Sequence, residues 1–307
     1  MKTANRKKPR LGLLILLLLG AIIGPVLLLL LIYWITIQQA DGSILSSGEK
    51  RDYLLYVPDS YQGDTPVPLV ISIHGFAEWP AHQQRMTHWN ELADEYGFIV
   101  VYPSGRQVPK RWRTDSLSDK SDGQFIADLI DHLQQDYNID PQRIYANGLS
   151  NGGGMSFFLS CTLSDRIAAF GGVAGAYLLP LEDCQRDRPV PAIIFHGNAD
   201  PVVPFAGGPS RSFDVPFPVI NEWVQKLAQM NGCEVTPASI PAQGEASGWR
   251  YSGCEANADV AYYIIDGGGH TWPGGDSLPK WIAGHTTQDI DATRLMWEFF
   301  QQHPLEK

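Results

Sequence analysis

The chain has 307 residues, 44% of them hydrophobic and 18% charged. That is globular material with a substantial core, and it excludes the low-complexity and disordered classes. The net charge is −10, but the first 40 residues hold five of the 23 basic residues (Lys2, Arg6, Lys7, Lys8 and Arg10) and no acidic ones. The remainder therefore sets 18 basic against 33 acidic residues, a surface that excludes nucleic acid as a partner.

Leu11 to Ile37 is a run of 27 residues without a charge. As a helix it would be about 40 Å long, enough to cross a bilayer with tilt. A secretory signal has a shorter apolar region and then a small-residue cleavage site. Tyr33 and Trp34 near the far end suit an interfacial anchor, and the five positive charges ahead of the run keep the N-terminus in the cytoplasm. The expectation is a basic cytoplasmic tail over 1–10, one transmembrane helix over 11–37, a polar linker over 38–50 and a single extracytoplasmic domain over 51–307. Secretion after signal cleavage is the alternative.

From residue 51 the pattern is α/β. Tyr53–Val57 reads as a strand ended by Pro58. Leu69–Ile73 is a nearly continuous apolar run, as suits a buried parallel strand, and it ends in His74-Gly75-Phe76-Ala77. Trp89–Tyr96 reads as a helix closed by Gly97, followed by a strand at Phe98–Tyr102. Phe125, Ile126, Leu129, Ile130 and Leu133 recur at helical spacing, so 122–137 is an amphipathic helix. Further strands fall at 143–147, 167–173, 192–195 and 260–265. A helix from about Pro218 carries Trp223, Leu227 and Met230. A terminal helix carries Leu295, Met296, Phe299 and Phe300, with Asp289 or Asp291 as its cap. Alternating strands and helices imply a mostly parallel sheet with helices on both faces.

The chemistry centres on Gly148-Leu149-Ser150-Asn151-Gly152, between the strand at 143–147 and a helix through Met155–Leu159. A serine between strand and helix must turn sharply, and the residues two before and two after it come too close to the turn to carry side chains. This is the nucleophile elbow of the α/β-hydrolase fold. A hydroxyl needs a base to take its proton, usually a histidine oriented by a carboxylate, and in this fold the order along the chain is Ser, acid, His. Asp200 follows the strand at 192–195, and His270 follows the strand at 260–265. Order and loop positions make Ser150, Asp200 and His270 the expected triad. His285 and His303 also follow Asp200 but do not directly follow a strand, and His74 and His196 read as loop-shaping. Asp214 and Asp266 are the competing acids.

The oxyanion needs two backbone N–H donors. One is expected from Asn151, at a helix N-terminus, and the other from the loop after Ile73, at Phe76 or its neighbour Ala77. Trp272, two residues past the base, and Trp79, past the oxyanion loop, are candidates for substrate contact, although Trp272 can equally brace the histidine loop and a structural role is favoured for Trp79. The four cysteines, 161, 184, 233 and 254, imply disulfides with three possible connectivities. Their spacing contains no C-x-x-C, so no zinc site is expected, and no metal or organic cofactor is implied.

From about Tyr53 to His303 the chain resembles the polyhydroxybutyrate depolymerase-like and feruloyl-esterase-like esterases, with LpqC-type lipoproteins among them. The matching segments include His74-Gly75, Gly148-Leu149-Ser150-Asn151-Gly152-Gly153, His196-Gly197-Asn198-Ala199-Asp200-Pro201 and Gly268-Gly269-His270-Thr271-Trp272-Pro273-Gly274. The resemblance implies the triad Ser150, Asp200 and His270, disulfides Cys161–Cys184 and Cys233–Cys254, and hydrolysis of carboxylic esters of hydroxycinnamoyl or short polyhydroxyalkanoate type. The family often has Cys and a polar residue after His-Gly, where this chain has Phe76-Ala77-Glu78-Trp79. The rivals to an esterase are an acyltransferase of the same fold and a surface binding module without catalysis.

Overall fold

The computed structural model describes residues 23–29, 31, 34, 39–276 and 279–305. Two compact units emerge, Met1–Gln39 and Ala40–Lys307. In the first, residues 23–29, 31 and 34 are helical and exposed. Most of the expected span Leu11–Ile37 lies outside the described residues. Among the described residues no helix is long and apolar enough to cross a membrane, so the anchor finds no support in the structure.

The second unit is built on one ten-stranded sheet in the order β1-β2-β4-β3-β5-β6-β7-β10-β9-β8. The strands are β1 Gly42–Ser46, β2 Glu49–Tyr56, β3 Val67–Ile73, β4 Ile99–Pro103, β5 Ile139–Leu149, β6 Ala169–Val173, β7 Ala192–Gly197, β8 Ala238–Gln243, β9 Ala246–Tyr251 and β10 Val260–Ile265. The six from β4 through β10 in that order pair in parallel. Antiparallel pairs β1–β2 and β9–β8 close the two edges. The sequence expectation found the buried parallel strands because they are apolar throughout. It missed β1, placed in the linker, and the hairpin of β8 and β9, where few apolar residues mark a face.

Side chains alternate across the sheet, as the period of two demands. Leu69, Ile71 and Ile73 enter one core with α3 Ser121–Asp136, α4 Asn151–Thr162 and α5 Ile220–Met230. Val70, Val100 and Tyr102 enter the other, with α1 Pro80–Thr87, α2 Trp89–Tyr96 and α7 Ala292–Gln301. Of the two candidate caps for the last helix, Asp291 serves: its side chain accepts the Arg294 N–H. Cys161 is joined to Cys184 and Cys233 to Cys254.

Candidate active site

The parallel strands carry the expected site residues to one end of the sheet. Ser150 follows β5 directly, Asp200 lies three residues past β7 and His270 five past β10, while Gly75 and Phe76 follow β3. In open α/β sheets this carboxyl end is where ligands bind.

Ser150 sits at φ +56 and ψ −119, a region a non-glycine residue enters only when its surroundings force it. The forcing contacts are backbone ones. Ser150 N–H donates to Val173 O, and Ser150 O accepts from both Gly154 and Ala176. A Cβ at Gly152 would stand 2.0 Å from Ile73 O, and one at Gly148 would stand 2.5 Å from the same oxygen. Both glycines are thus required by close approach of the β3 end to the elbow.

Asp200 is fully engaged. Its Oδ1 accepts the Val202 and Val203 N–H groups at 2.7 and 2.9 Å. Its Oδ2 lies 2.8 Å from His270 Nδ1. Burial alone would raise the Asp200 pKa, but the charge and hydrogen bond of His270, with His196 and the Val202 N–H, hold it below the ordinary value. The carboxylate therefore stays ionised and fixes His270 with Nδ1 as donor, leaving Nε2 as the ring nitrogen able to accept a proton. The His270 loop is held by its own backbone: His270 N–H donates to Ala283 O and Gly269 N–H to His285 O.

Ser150 and His270 line one cavity of about 600 Å³. Phe76, Phe213 and Phe217 form an aromatic wall, with edge-to-face contacts of 5.8 Å between Phe76 and Phe213 and 6.3 Å between Phe213 and Phe217. Glu78 and Arg211 are the charged side chains in the wall beside His270.

In the loop after β3 the two neighbouring N–H groups differ. Ala77 N–H is spent on Lys110 O at 2.8 Å, while the Phe76 N–H has no acceptor among the described residues. Asn151 is the first residue of α4, where a helix leaves its N–H groups without internal partners. Its side chain clamps a neighbouring loop: Oδ1 accepts Trp112 N–H at 2.7 Å and Nδ2 donates to Trp112 O at 3.1 Å. Glu78 Oε2 accepts Gly75 N–H at 2.9 Å, and its Oε1 lies 3.4 Å from His82 Nδ1. Burial would raise the Glu78 pKa, but His82 and the Gly75 N–H hold it below the ordinary value.

Neither tryptophan raised as a candidate for substrate contact lines the cavity. Trp272 is 1% exposed, outside the cavity wall, and donates from Nε1 to Thr293 Oγ1 at 2.9 Å. It braces the histidine loop against α7. Trp79 caps the start of α1 and is likewise absent from the cavity wall. The correction has a simple cause: two residues beyond His270 the chain has already turned inward to the second core. The aromatic wall comes instead from Phe76 and from the loop carrying Phe213 and Phe217, whose only sequence signal was phenylalanine in a Pro- and Gly-rich segment.

Four other groups raised by the sequence lie apart from reaction chemistry. His74 is wholly buried, its Nδ1 2.7 Å from Gly75 O and its Nε2 accepting Gly105 N–H at 2.9 Å, and burial pushes it down to about 4. His196 Nε2 donates to Val203 O at 2.9 Å, and burial lowers its pKa. These are loop-shaping roles. His285 pairs with Glu245 at 2.8 Å. Asp266 accepts from Asn198 Nδ2.

A mostly parallel sheet covered on both faces, with a serine at a strained strand–helix elbow, defines an α/β-hydrolase-like protein. Comparison with known proteins narrows this. The family described as "Esterase PHB depolymerase" matches residues 51–180. A bifunctional acetylxylan esterase/xylanase of Neocallimastix patriciarum is 35% identical over 51% of this chain and 22% of its own length. Feruloyl esterase B of Piromyces equi is 30% identical over 75% of this chain and 44% of its own. The chain thus spans less than half the length of these two relatives. Among solved structures, an acetyl xylan esterase from Aspergillus awamori shares the fold, with a TM-score of 0.61 at 17% identity over 85% of this chain and 98% of the other. These comparisons support the polyhydroxybutyrate depolymerase-like and feruloyl-esterase-like esterases as the family, in line with the sequence resemblance.

Proposed function

We propose that the chain is a serine-dependent carboxylic ester hydrolase. The observation that carries this is the cavity lined by both Ser150, at its strained elbow, and His270, whose Nδ1 is held by the buried Asp200 carboxylate. In this reading Ser150 Oγ attacks the ester carbonyl as His270 Nε2 takes its proton. The Phe76 and Asn151 N–H groups receive the oxyanion, and His270 returns the proton to the departing alcohol. Water, deprotonated by the same nitrogen, then releases the acid and frees Ser150.

The substrate reading is an ester with an aromatic or extended acyl group, hydroxycinnamoyl first and short polyhydroxyalkanoate next. The aromatic wall of Phe76, Phe213 and Phe217 supports it, because stacking adds about 0.5–1.5 kcal/mol beyond burial. The name of the feruloyl esterase relative points the same way, whereas that of the acetylxylan esterase relative names a small acyl group. The placement rests on sequence alone: the uncharged run Leu11–Ile37 suits an anchor, with the domain that follows it outside the cytoplasm. The two disulfides fit an oxidising compartment.

Ser150→Ala tests the chemistry. It should remain folded and lose turnover of nitrophenyl acetate and methyl ferulate by up to about 10⁶. Near-normal turnover by that variant would refute the reading. Faster hydrolysis of nitrophenyl palmitate than of methyl ferulate by the unaltered protein would refute the aromatic substrate class alone.

A further inference from the structure

Away from the catalytic cavity, a depression of about 240 Å³ lies between α5 and the outer strands of the sheet. Its walls are Trp249 and Tyr251 of β9, Tyr262 of β10, Asn221 and Gln225 of α5, and Pro237 just ahead of β8. It shares no residue with the cavity of Ser150 and His270.

The geometry follows from two periods. Residues 249 and 251 lie two apart on β9 and so share one face, and Trp249 is paired across the ladder with Tyr262. The two rings lie 6.3 Å apart. Asn221 and Gln225 lie four apart on a helix and so face the same way. Tyr262 OH donates to Asn221 Oδ1 at 2.9 Å, which fixes that amide and leaves its Nδ2 as a donor. No hydrogen bond engages the Gln225 amide or the Tyr251 hydroxyl among the described residues. Trp249 remains 39% exposed. No side chain in the wall is charged, in a chain with 33 acidic and 23 basic residues.

We propose that this depression binds a sugar ring of a neutral polysaccharide. A pyranose presents C–H groups on its faces and hydroxyls around its rim. The C–H groups carry slight positive charge and suit the electron-rich face of an exposed indole. The rim hydroxyls both donate and accept, which matches two side-chain amides and a phenol better than it matches a charged ligand. The absence of charge disfavours nucleotides, phosphates and acidic or basic peptides. A proline-rich peptide also docks on aromatic walls, but it has few donors for Gln225 Oε1 and the Tyr251 hydroxyl oxygen. The site would hold the protein on a polymer while its esterified branches reach the separate catalytic cavity.

The test uses the full-length chain and oligosaccharides free of esters, so it does not depend on hydrolysis. Xylohexaose and cellohexaose are titrated to tens of millimolar while the indole N–H resonances are followed by nuclear magnetic resonance. The Trp249 resonance should shift saturably with either hexaose, with Kd on the order of millimolar. Trp249→Ala, followed through the side-chain amide resonances of Asn221 and Gln225, should abolish the saturable response. Gln225→Ala, at an exposed helix position that carries the test should the first variant not fold, should weaken it about tenfold. Turnover of nitrophenyl acetate should be unchanged in both. Three outcomes would overturn the proposal: a Trp249 resonance unmoved by both hexaoses, unchanged affinity in the variants, or a response to a proline-rich peptide and not to the hexaoses.

Discussion

Replacing His74 with Gln should remove a pH-dependent component of stability. His74 is wholly buried at the end of β3, where its ring joins two loops: Nδ1 to Gly75 O and Nε2 to Gly105 N–H. Burial penalises the charged imidazolium and pushes the folded-state value from 6.5 down to about 4. The unfolded chain therefore binds a proton at higher pH than the folded one does. For a base depressed in this way, stability is fully present above about 6.5. It falls as pH drops through the interval to about 4, then levels off. A displacement of that size corresponds to roughly 3 kcal/mol across the interval, and about 2 kcal/mol of it is lost by pH 5. His196 and His303 are also lowered by burial and add to the same slope. They remain in the variant, so the difference between the two proteins isolates His74.

The assay is urea unfolding at pH 7.5, 6.0, 5.0 and 4.5 for the native chain and for His74→Gln. Glutamine keeps one donor and one acceptor and should cost about 1–2 kcal/mol at neutral pH through altered shape. The gap between the two proteins should then shrink or reverse by pH 5, because only the native chain must exclude the proton. Parallel loss of stability in both would refute the argument, since it would mean that His74 titrates alike in the folded and unfolded states.

Further outcomes follow from the site. Asp200→Asn should lower kcat by about 10⁴ with modest change in stability, because the amide can present the wrong group to His270 Nδ1; steady-state kinetics checks this. Glu78→Ala leaves Gly75 N–H without its acceptor, and kcat should fall about tenfold or more with a smaller change in KM. Gly152→Ala would force a Cβ to within 2.0 Å of Ile73 O, and the variant should either fail to fold or melt many degrees lower. Replacing both Cys161 and Cys184 with Ser opens a loop of 23-residue separation, which should cost about 3 kcal/mol in urea unfolding.

What could be read from the sequence is what backbone sterics and strand burial dictate. The elbow was visible because Gly148 and Gly152 answer to a single oxygen, Ile73 O, and no side chain can share that space. The parallel strands were visible because burial on both faces makes them apolar throughout. Asp200 and His270 were placed by chain order and by their positions after strands, and the structure brings them within 2.8 Å across 70 residues. The loop-shaping reading of His74 also followed from position, since a histidine before a glycine at a strand end has backbone groups on every side.

The substrate wall was not visible, and the reason lies in what makes an aromatic side chain line a cavity. Nearness to a catalytic residue along the chain says little, because a loop reverses direction within a few residues. Trp272, two residues from His270, points into the second core and donates to Thr293, whereas Phe213 and Phe217 approach Ser150 from more than 60 positions away. The residues nearest Ser150 in space are fixed by where loops from different strands converge, and that convergence has no periodicity to read. The same holds for Glu78. Its carboxylate lines the cavity and anchors Gly75, in the segment where Phe76-Ala77-Glu78-Trp79 departs from the Cys-polar pattern of the esterases. Phe76 and Glu78 lie in one turn after β3, so that departure changes an apolar wall and a charge together. Substrate preference within this fold should therefore follow residues 76–78 and 209–217 more closely than it follows the elbow, and exchanging 76–78 for a Cys-polar turn should change the order of preferred esters in a panel run at one pH.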